Sequence, residues 1–404
     1  MSELPPTAPA VVFPPLRRDT RVHAWIFAAA VSKVGDMAWY IGLAWSAAQI
    51  TTPAGAGLVM GIGALPQALV LLFGGALADR IDGRRVMVMA NLGRIVVLTA
   101  GAVLASLWGL SLLLLLTIAV VFGVVDAIYT PAAGTLPRRM VQPDDQVKLM
   151  AGNQLAVRLA IFVGAPLGGL LVAHGGLVTV MLVDAASFAV IAAVLAFLVK
   201  PRLPQPASTG ASIRADLKEG FAYLGRDDRA RTLVIAFSGL NLCVGPVLAV
   251  GLVQRTHLDG WGPGALGWFE AVSGISAAAG AIVAMRWKPA NLARSGLIAL
   301  IFQAAGCVMI GVMPRAGIFL AMIMIGSTAG IASAQLSAAF QLSVDASYLG
   351  RSFSIVHLSD QGLMPVAMVA FGAFIALAGI SVACAVIGSA FAALMVWAVA
   401  RVGR

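Results

Sequence analysis

Five carboxylates lie inside long apolar runs of this 404-residue chain, and four of them, Asp36, Asp126, Glu270 and Asp360, are candidates for proton coupling. Placing a charged side chain at the centre of a bilayer costs on the order of 2.5–3.5 kcal/mol on insertion scales. A carboxylate retained in such surroundings is a candidate for taking up and releasing a proton. Asp36 is the first candidate and Asp126 the second, because Glu270 and Asp360 could each sit at a wet helix end. Two arginines, Arg94 and Arg158, share the depth of Asp126, about eight residues or roughly 12 Å from the end of a segment at 1.5 Å per residue. Pairing lowers the cost of burying a charge. The expectation is an ion pair between Asp126 and Arg158, or a network that takes in Arg94. Trp39, Tyr40 and Tyr129 fall on the same segments and can line an amphipathic cavity. No Gly-x-x-x-x-Gly-Lys-Ser/Thr loop is present to cradle a nucleotide. His23, His174, His257 and His357 are scattered, and Cys243, Cys307 and Cys384 lie in apolar segments, so no metal spacing occurs. The expectation is therefore neither an enzyme nor a protein with a cofactor or metal.

The elements that must position these residues follow from composition. The chain is 60% hydrophobic and 11% charged, with a mean hydropathy of +0.95. A spanning helix needs roughly 20 apolar residues. Twelve such runs are found, at about 24–50, 56–78, 86–107, 111–134, 150–173, 177–199, 231–253, 264–286, 293–313, 317–341, 352–377 and 380–400. The expected fold class is an all-α integral membrane protein with twelve transmembrane helices in two six-helix repeats. The expected division is a tail at 1–23, a six-helix bundle at 24–199, a linker at 200–230 and a second bundle at 231–404. In the linker, Ile213, Leu217, Phe221 and Leu224 are spaced four, four and three apart, which predicts an amphipathic helix at the membrane surface. Lys and Arg concentrate in the tail and in every second loop. That asymmetry predicts a multi-pass inner-membrane protein with both termini cytoplasmic. It also accounts for the net charge of +10 as membrane topology, with no nucleic-acid partner.

One polar stretch separates the second and third apolar runs: Gly75-Ala-Leu-Ala-Asp79-Arg80-Ile-Asp82-Gly83-Arg84-Arg85. Gly83 permits a sharp reversal, and the arginines hold the hairpin on the cytoplasmic side. The stretch resembles the loop 2–3 signature of the major facilitator superfamily, with Asp82 where the family usually has Gly. The resemblance implies a gating motif of Gly75, Asp79, Arg80, Arg84 and Arg85. In it the Asp engages the start of the eleventh helix, and the arginines join a charge network between the halves. Gly164-Ala-Pro166-Leu-Gly168-Gly169 resembles the family's fifth-helix antiporter signature, with the Pro one place late. Its glycines favour close helix packing, and Pro166 favours a bend. The fourth-helix Arg usual in drug–proton antiporters is absent, and Asp126 lies in that region.

Ser32-Lys-Val-Gly-Asp36, Asp184-Ala-Ala-Ser-Phe188, Glu219-Gly-Phe-Ala-Tyr-Leu-Gly-Arg226 and Leu349-Gly-Arg-Ser-Phe353 occur in that order. Together they resemble the enterobactin-exporter-like, multidrug-efflux branch of the superfamily. That resemblance implies alternating access and proton-coupled export of a drug, siderophore or secondary metabolite. The partners it implies are a small amphipathic substrate, protons and the lipid bilayer, with the protein a monomer. Energy would come from an ion gradient, at roughly 2.3 kcal/mol per charge per 100 mV. Asp184 falls in a helix that is peripheral in that fold, and is read as structural. An importer of a small solute and a non-transport receptor stay open as alternatives.

Overall fold

Chain segments in lipid must satisfy their backbone hydrogen bonds internally, so the apolar runs become helices. The computed structural model describes residues 14–73, 82–203, 213–287, 289–344 and 348–402. The first helices are α1 (Thr20–Ile50), α2 (Pro53–Phe73), α3 (Gly83–Trp108) and α4 (Leu112–Thr135). The run Gln146–Ala193 is two helices joined at Gly176, whose φ of 64° and ψ of −170° suit a residue without a Cβ. It divides into α5 (146–175) and α6 (177–193), and α6 continues through a π turn at Val194–Leu198. The linker helix α7 covers Ile213–Arg226. Helix α8 starts as Asp228–Pro246 and continues through a π turn, Val247–Leu252, into Val253–Leu258. The rest are α9 (Gly262–Arg286), α10 (Leu292–Val312), α11 (Arg315–Ser343), α12 (Leu349–Ala378) and α13 (Ile380–Val402). Ten helical runs, the joined α5–α6 among them, are long and apolar enough to cross a bilayer. Counting α5 and α6 separately makes eleven, and α2, 21 residues from Pro53 to Phe73, is the twelfth helix, so six precede α7 and six follow it, the all-α arrangement expected from the hydropathy pattern.

Helix starts are set by capping side chains. The Asp19 carboxylate accepts from the backbone N–H groups of Arg21 and Val22, which starts α1 at Thr20. Residues 20–23, expected in the tail, therefore belong to α1. Asp82, Ser111, Asp227 and Asn291 cap α3, α4, α8 and α10 in the same way.

Glycines let the two sets of six helices meet. A Cβ on Gly57 would stand 2.5 Å from the Met368 carbonyl oxygen, and one on Gly61 would stand 2.6 Å from that of Pro365, so α2 lies directly on α12. Likewise a Cβ on Gly169 would stand 2.5 Å from the Pro263 carbonyl oxygen, and one on Gly267 would stand 2.6 Å from that of Ala165, joining α5 to α9. All four glycines lie toward the helix ends remote from the chain's N-terminus; that face is called distal below, and the opposite face proximal.

On the proximal face a polar clasp binds the first six helices. Arg202 and Leu203 donate backbone N–H groups to the Arg139 carbonyl at 2.8 and 3.1 Å. The Arg139 side chain donates back to the Leu203 carbonyl at 3.0 Å and pairs with Asp82 at 3.1 Å. Arg202 pairs with Asp19 at 2.5 Å and donates to the Met140 carbonyl at 2.6 Å. Burial alone would push the Asp19 carboxyl up, but the Arg202 hydrogen bond and charge, with the Val22 and Arg21 N–H groups, outweigh it and leave it below 3.8.

The linker forms a helix, α7, over the residues where the apolar spacing predicts one. Within it Leu224 is buried against protein and Phe221 is exposed. Tyr223 stacks on Tyr348, the residue before α12, with ring centroids 4.6 Å apart and planes at 11°. The linker is thereby fastened to the start of α12.

Candidate functional site

A polar network in the first six helices is built on one buried guanidinium. Arg94, mid-way along α3, is 2% exposed. Asn91, one turn earlier, donates its amide to the Met87 carbonyl at 2.8 Å and accepts from Arg94 Nη1 at 3.2 Å. Arg94 Nη2 pairs with Asp126 Oδ1 on α4. The other carboxylate oxygen of Asp126 accepts from Gln67 Nε2 on α2. One carboxylate thus fastens α2, α3 and α4 together. Aromatic rings cover the guanidinium, with centroids at 4.0 Å for Tyr129, 4.8 Å for Phe188 and 5.9 Å for Phe122. Delocalised positive charge over ring faces is favourable, and more so away from water. This is how a buried arginine becomes tolerable.

A second pair lies beside it on α1. Lys33 Nζ and Asp36 Oδ2 are 2.7 Å apart, one helical turn from each other. Their side chains are 49% and 22% exposed, although both lie mid-way along a spanning helix. Such access requires an open cleft, because a lysine facing lipid would be costly. Behind this pair, Asp184 on α6 is 0% exposed. It takes a hydrogen bond from the Ser187 hydroxyl at 3.0 Å, and its Oδ2 has no partner. Gly35 makes room for it, since a Cβ there would overlap Asp184 Oδ1 and Ser187 Oγ.

The expected pairing of Asp126 with Arg158 does not occur. Both oxygens of Asp126 are taken by Gln67 and Arg94. Arg158 is exposed and forms no ion pair among the described residues. It lies two turns before Ala165, whose carbonyl oxygen a Cβ on Gly267 of α9 would meet. The alternative expectation, a network through Arg94, matches this geometry.

The other candidates are dispersed. Trp39 is buried against Phe122 at 5.6 Å, a packing position and not a cavity wall. Tyr40 is half-buried and within electrostatic reach of Glu270 on α9, across the interface of the two sets. Glu270 is half-buried, as is Asp360 on α12, which has interactions of its own. Of the hairpin motif, Gly75, Asp79 and Arg80 lie outside the described residues. Arg85 is exposed. Arg84 donates to the carbonyls of Leu195 and Ala196 at 2.7 and 2.5 Å, where the end of α6 leaves acceptors free. Those bonds stay within the first six helices. In the fifth-helix motif, Gly164 and Gly168 press on α1, with a Cβ 2.7 Å from the Val34 carbonyl oxygen and from Ala38 Cα, respectively. Gly169 meets α9, and Pro166 sits inside α5 where Gly267 approaches.

Sequence reasoning passed over Gln67, Asn91, Lys33 and Ser187 as partners. Gln67 is a lone polar residue in an apolar run, whereas Lys33, Asn91 and Ser187 stand three residues from Asp36, Arg94 and Asp184, the spacing of neighbours on one helix face. Nothing in the sequence says which of these polar groups meet across helices.

Comparison with known proteins agrees with this architecture. The sequence profile of the Major Facilitator Superfamily matches residues 25–367. The uncharacterized MFS-type transporter YfiS of Bacillus subtilis (strain 168) is 26% identical over 372 residues, covering 89% of this chain and 87% of that protein. The multidrug resistance protein MdtH of Edwardsiella ictaluri (strain 93-146) is 25% identical over 216 residues, 54% of this chain and 50% of that one. Among solved structures, a point mutant of the nucleoside transporter NupG superposes with a TM-score of 0.74 at 12% identity, covering 95% of this chain and 99% of that one. A bacterial homolog of the human lysosomal transporter Spinster, in an inward-facing and unoccupied conformation, gives 0.65 at 16% identity, covering 97% and 96%. The family profile covers most of the chain, and the chain belongs to the Major Facilitator Superfamily.

Proposed function

We propose that this membrane transport protein is a proton-coupled exporter of a drug, siderophore or secondary metabolite, working by alternating access. Its moving bodies are residues 24–199 and 231–404, joined by the linker at 200–230, with the tail at 1–23 and both termini in the cytoplasm of a cell with an inner membrane. The carrying observation is the Lys33–Asp36 pair, 2.7 Å apart and partly exposed at mid-helix depth. A carboxylate there can exchange a proton with cleft water, and the neighbouring lysine can release it when a substrate or proton competes. The glycine contacts between α2 and α12 and between α5 and α9 lie distally, which leaves the proximal side as the open side of the cleft and supports an inward-facing arrangement. The partial likeness to MdtH, named for multidrug resistance, favours export. The likeness to NupG, at 12% identity, is one of fold.

The test is proton movement in energised everted vesicles loaded with a pH-sensitive dye and offered antibiotics, siderophores and cationic dyes. Protein-dependent alkalinisation of the lumen on adding a compound is expected. Acidification, or uptake that accompanies protons in the same direction, would replace export with import by symport. Asp36→Asn should abolish the proton signal.

A further inference from the structure

We propose that Asp184 is a proton-binding site, and that it competes with Asp126 for the one guanidinium of Arg94, the proton residing on whichever carboxylate Arg94 leaves. The inference rests on the proton-coupled reading for its role in transport, but not for its chemistry.

The first ground is charge. The described groups acting on one another here are Lys33 and Asp36 on α1, Arg94 on α3, Asp126 and Tyr129 on α4, and Asp184 on α6. They comprise two cations and three carboxylates beside a neutral phenol. Lys33 is matched with Asp36, and Arg94 with Asp126. Asp184 is the remainder, wholly buried and without a cation at ion-pair distance. An uncompensated buried carboxylate is far costlier than a buried carboxylic acid, so neutrality of the cluster requires one proton.

The second ground is complementarity. Two buried atoms in this cluster lack a partner: Asp184 Oδ2, an acceptor when ionised, and Arg94 Nε, a donor. The guanidinium already rests on Phe188, one turn from Asp184 on the same helix. A rotation about the Arg94 side chain that gives up Asp126 therefore brings an unsatisfied donor toward an unsatisfied acceptor. The exchange balances. Asp184 as the acid releases its proton to water in the cleft beside Asp36, and its carboxylate takes Arg94. Asp126, losing Arg94, takes up one proton and remains hydrogen-bonded through Gln67. Charge within the cluster is unchanged, so the step avoids leaving a naked charge in lipid. Gly35 fits the same picture, because a side chain there would fill the space held by the Asp184 carboxyl and the Ser187 hydroxyl.

The experiment is infrared difference spectroscopy on the full chain in lipid, titrated with acid and base and without any substrate. Aspartate is labelled with 13C at its carboxyl carbon, so that Glu270 does not contribute. A labelled carboxylic-acid carbonyl band is expected in wild type. Asp184→Asn should abolish it. Asp126→Asn should abolish it too, because the freed Arg94 then neutralises Asp184. Ser187→Ala, which removes the hydroxyl bonded to the Asp184 carboxyl, should shift the band's frequency without abolishing it. Persistence of the band in Asp184→Asn, or an unmoved band in Ser187→Ala, overturns the proposal. If Asp184→Asn does not fold, the Ser187→Ala shift decides alone. A band that behaves as expected in a protein that moves no protons in vesicles would uphold the site and overturn the coupled-transport reading.

Discussion

The two sets of six helices handle buried polarity in opposite ways. The first lodges full charges in its interior and matches them: Lys33 with Asp36, and Arg94 with Asp126 under three aromatic rings. The second buries amides. Gln254, Gln303 and Gln335 are nearly inaccessible, and each has at least one side-chain atom without a partner. An unpartnered amide costs desolvation energy but cannot change its charge near neutral pH. A paired carboxylate can, once its partner moves. One architecture used twice need not do one job twice. Under the function proposed above, the proton chemistry is assigned to the first set, while the second set keeps two half-buried carboxylates of its own, Glu270 and Asp360.

The contrast is tested most severely by removing one buried polar group from each set. Arg94→Met strands Asp126 and should cost about 3–5 kcal/mol. Gln335→Met should stay within about 1 kcal/mol of wild type, since neither amide atom has a partner to lose. Thermal unfolding of purified protein reads both, and equal losses would sink the distinction.

A smaller effect is expected on the proximal face. Because Asp19 is held below its ordinary value, its contribution is fully present above about pH 3.8 and is lost as pH falls through the lowered folded value. Arg202→Gln should remove about 1.5–3 kcal/mol at neutral pH and flatten the acid limb of the stability curve. Arg294→Gln, in the first turn of α10, should do neither, because Arg294 is exposed and has no ion pair among the described residues. Urea titrations at several pH values would separate the two.

Smaller again is Gly35→Ala, expected to cost about 1–3 kcal/mol by overpacking Asp184. Gly274→Ala on α9, where a Cβ meets nothing within 4 Å, should be neutral or gain up to about 1 kcal/mol. The least effect on folding belongs to Asp36→Asn. A partly exposed one-turn pair contributes about 0.3–0.5 kcal/mol, so melting should barely move while gradient-driven transport disappears. Glu270→Gln should keep coupled transport, and its loss there would relocate the proton site to the second set.

Much of this was legible from hydropathy alone, and the reasons are local. Runs of roughly 20 apolar residues can hide their backbone only as helices, so segment number and order followed directly. Arg94 and Asp126 stood out because charge inside such a run is expensive. The error over Arg158 has an equally plain cause. Depth along a helix can be counted from sequence, but the direction a side chain takes around the bundle depends on which helix lies next to it. Arg158 and Asp126 share a depth, but Asp126 meets Gln67 and Arg94 instead. Asp184 was read as structural for the same reason, because its lack of a partner is a property of α1, α3 and α6 together.

Chemistry local to the chain was enough to specify a membrane protein of twelve spanning helices, the place of its hydrophilic linker, and which charges lie within the membrane. Those properties depend on residues near one another in the chain and on the cost of charge in hydrocarbon. Packing across helices settled the rest: which carboxylate meets which cation, that Gln67 completes the Asp126 site, and that Asp184 is enclosed behind Gly35. Such pairings join helices tens of residues apart, and packing geometry selects them from several alternatives of similar depth and charge.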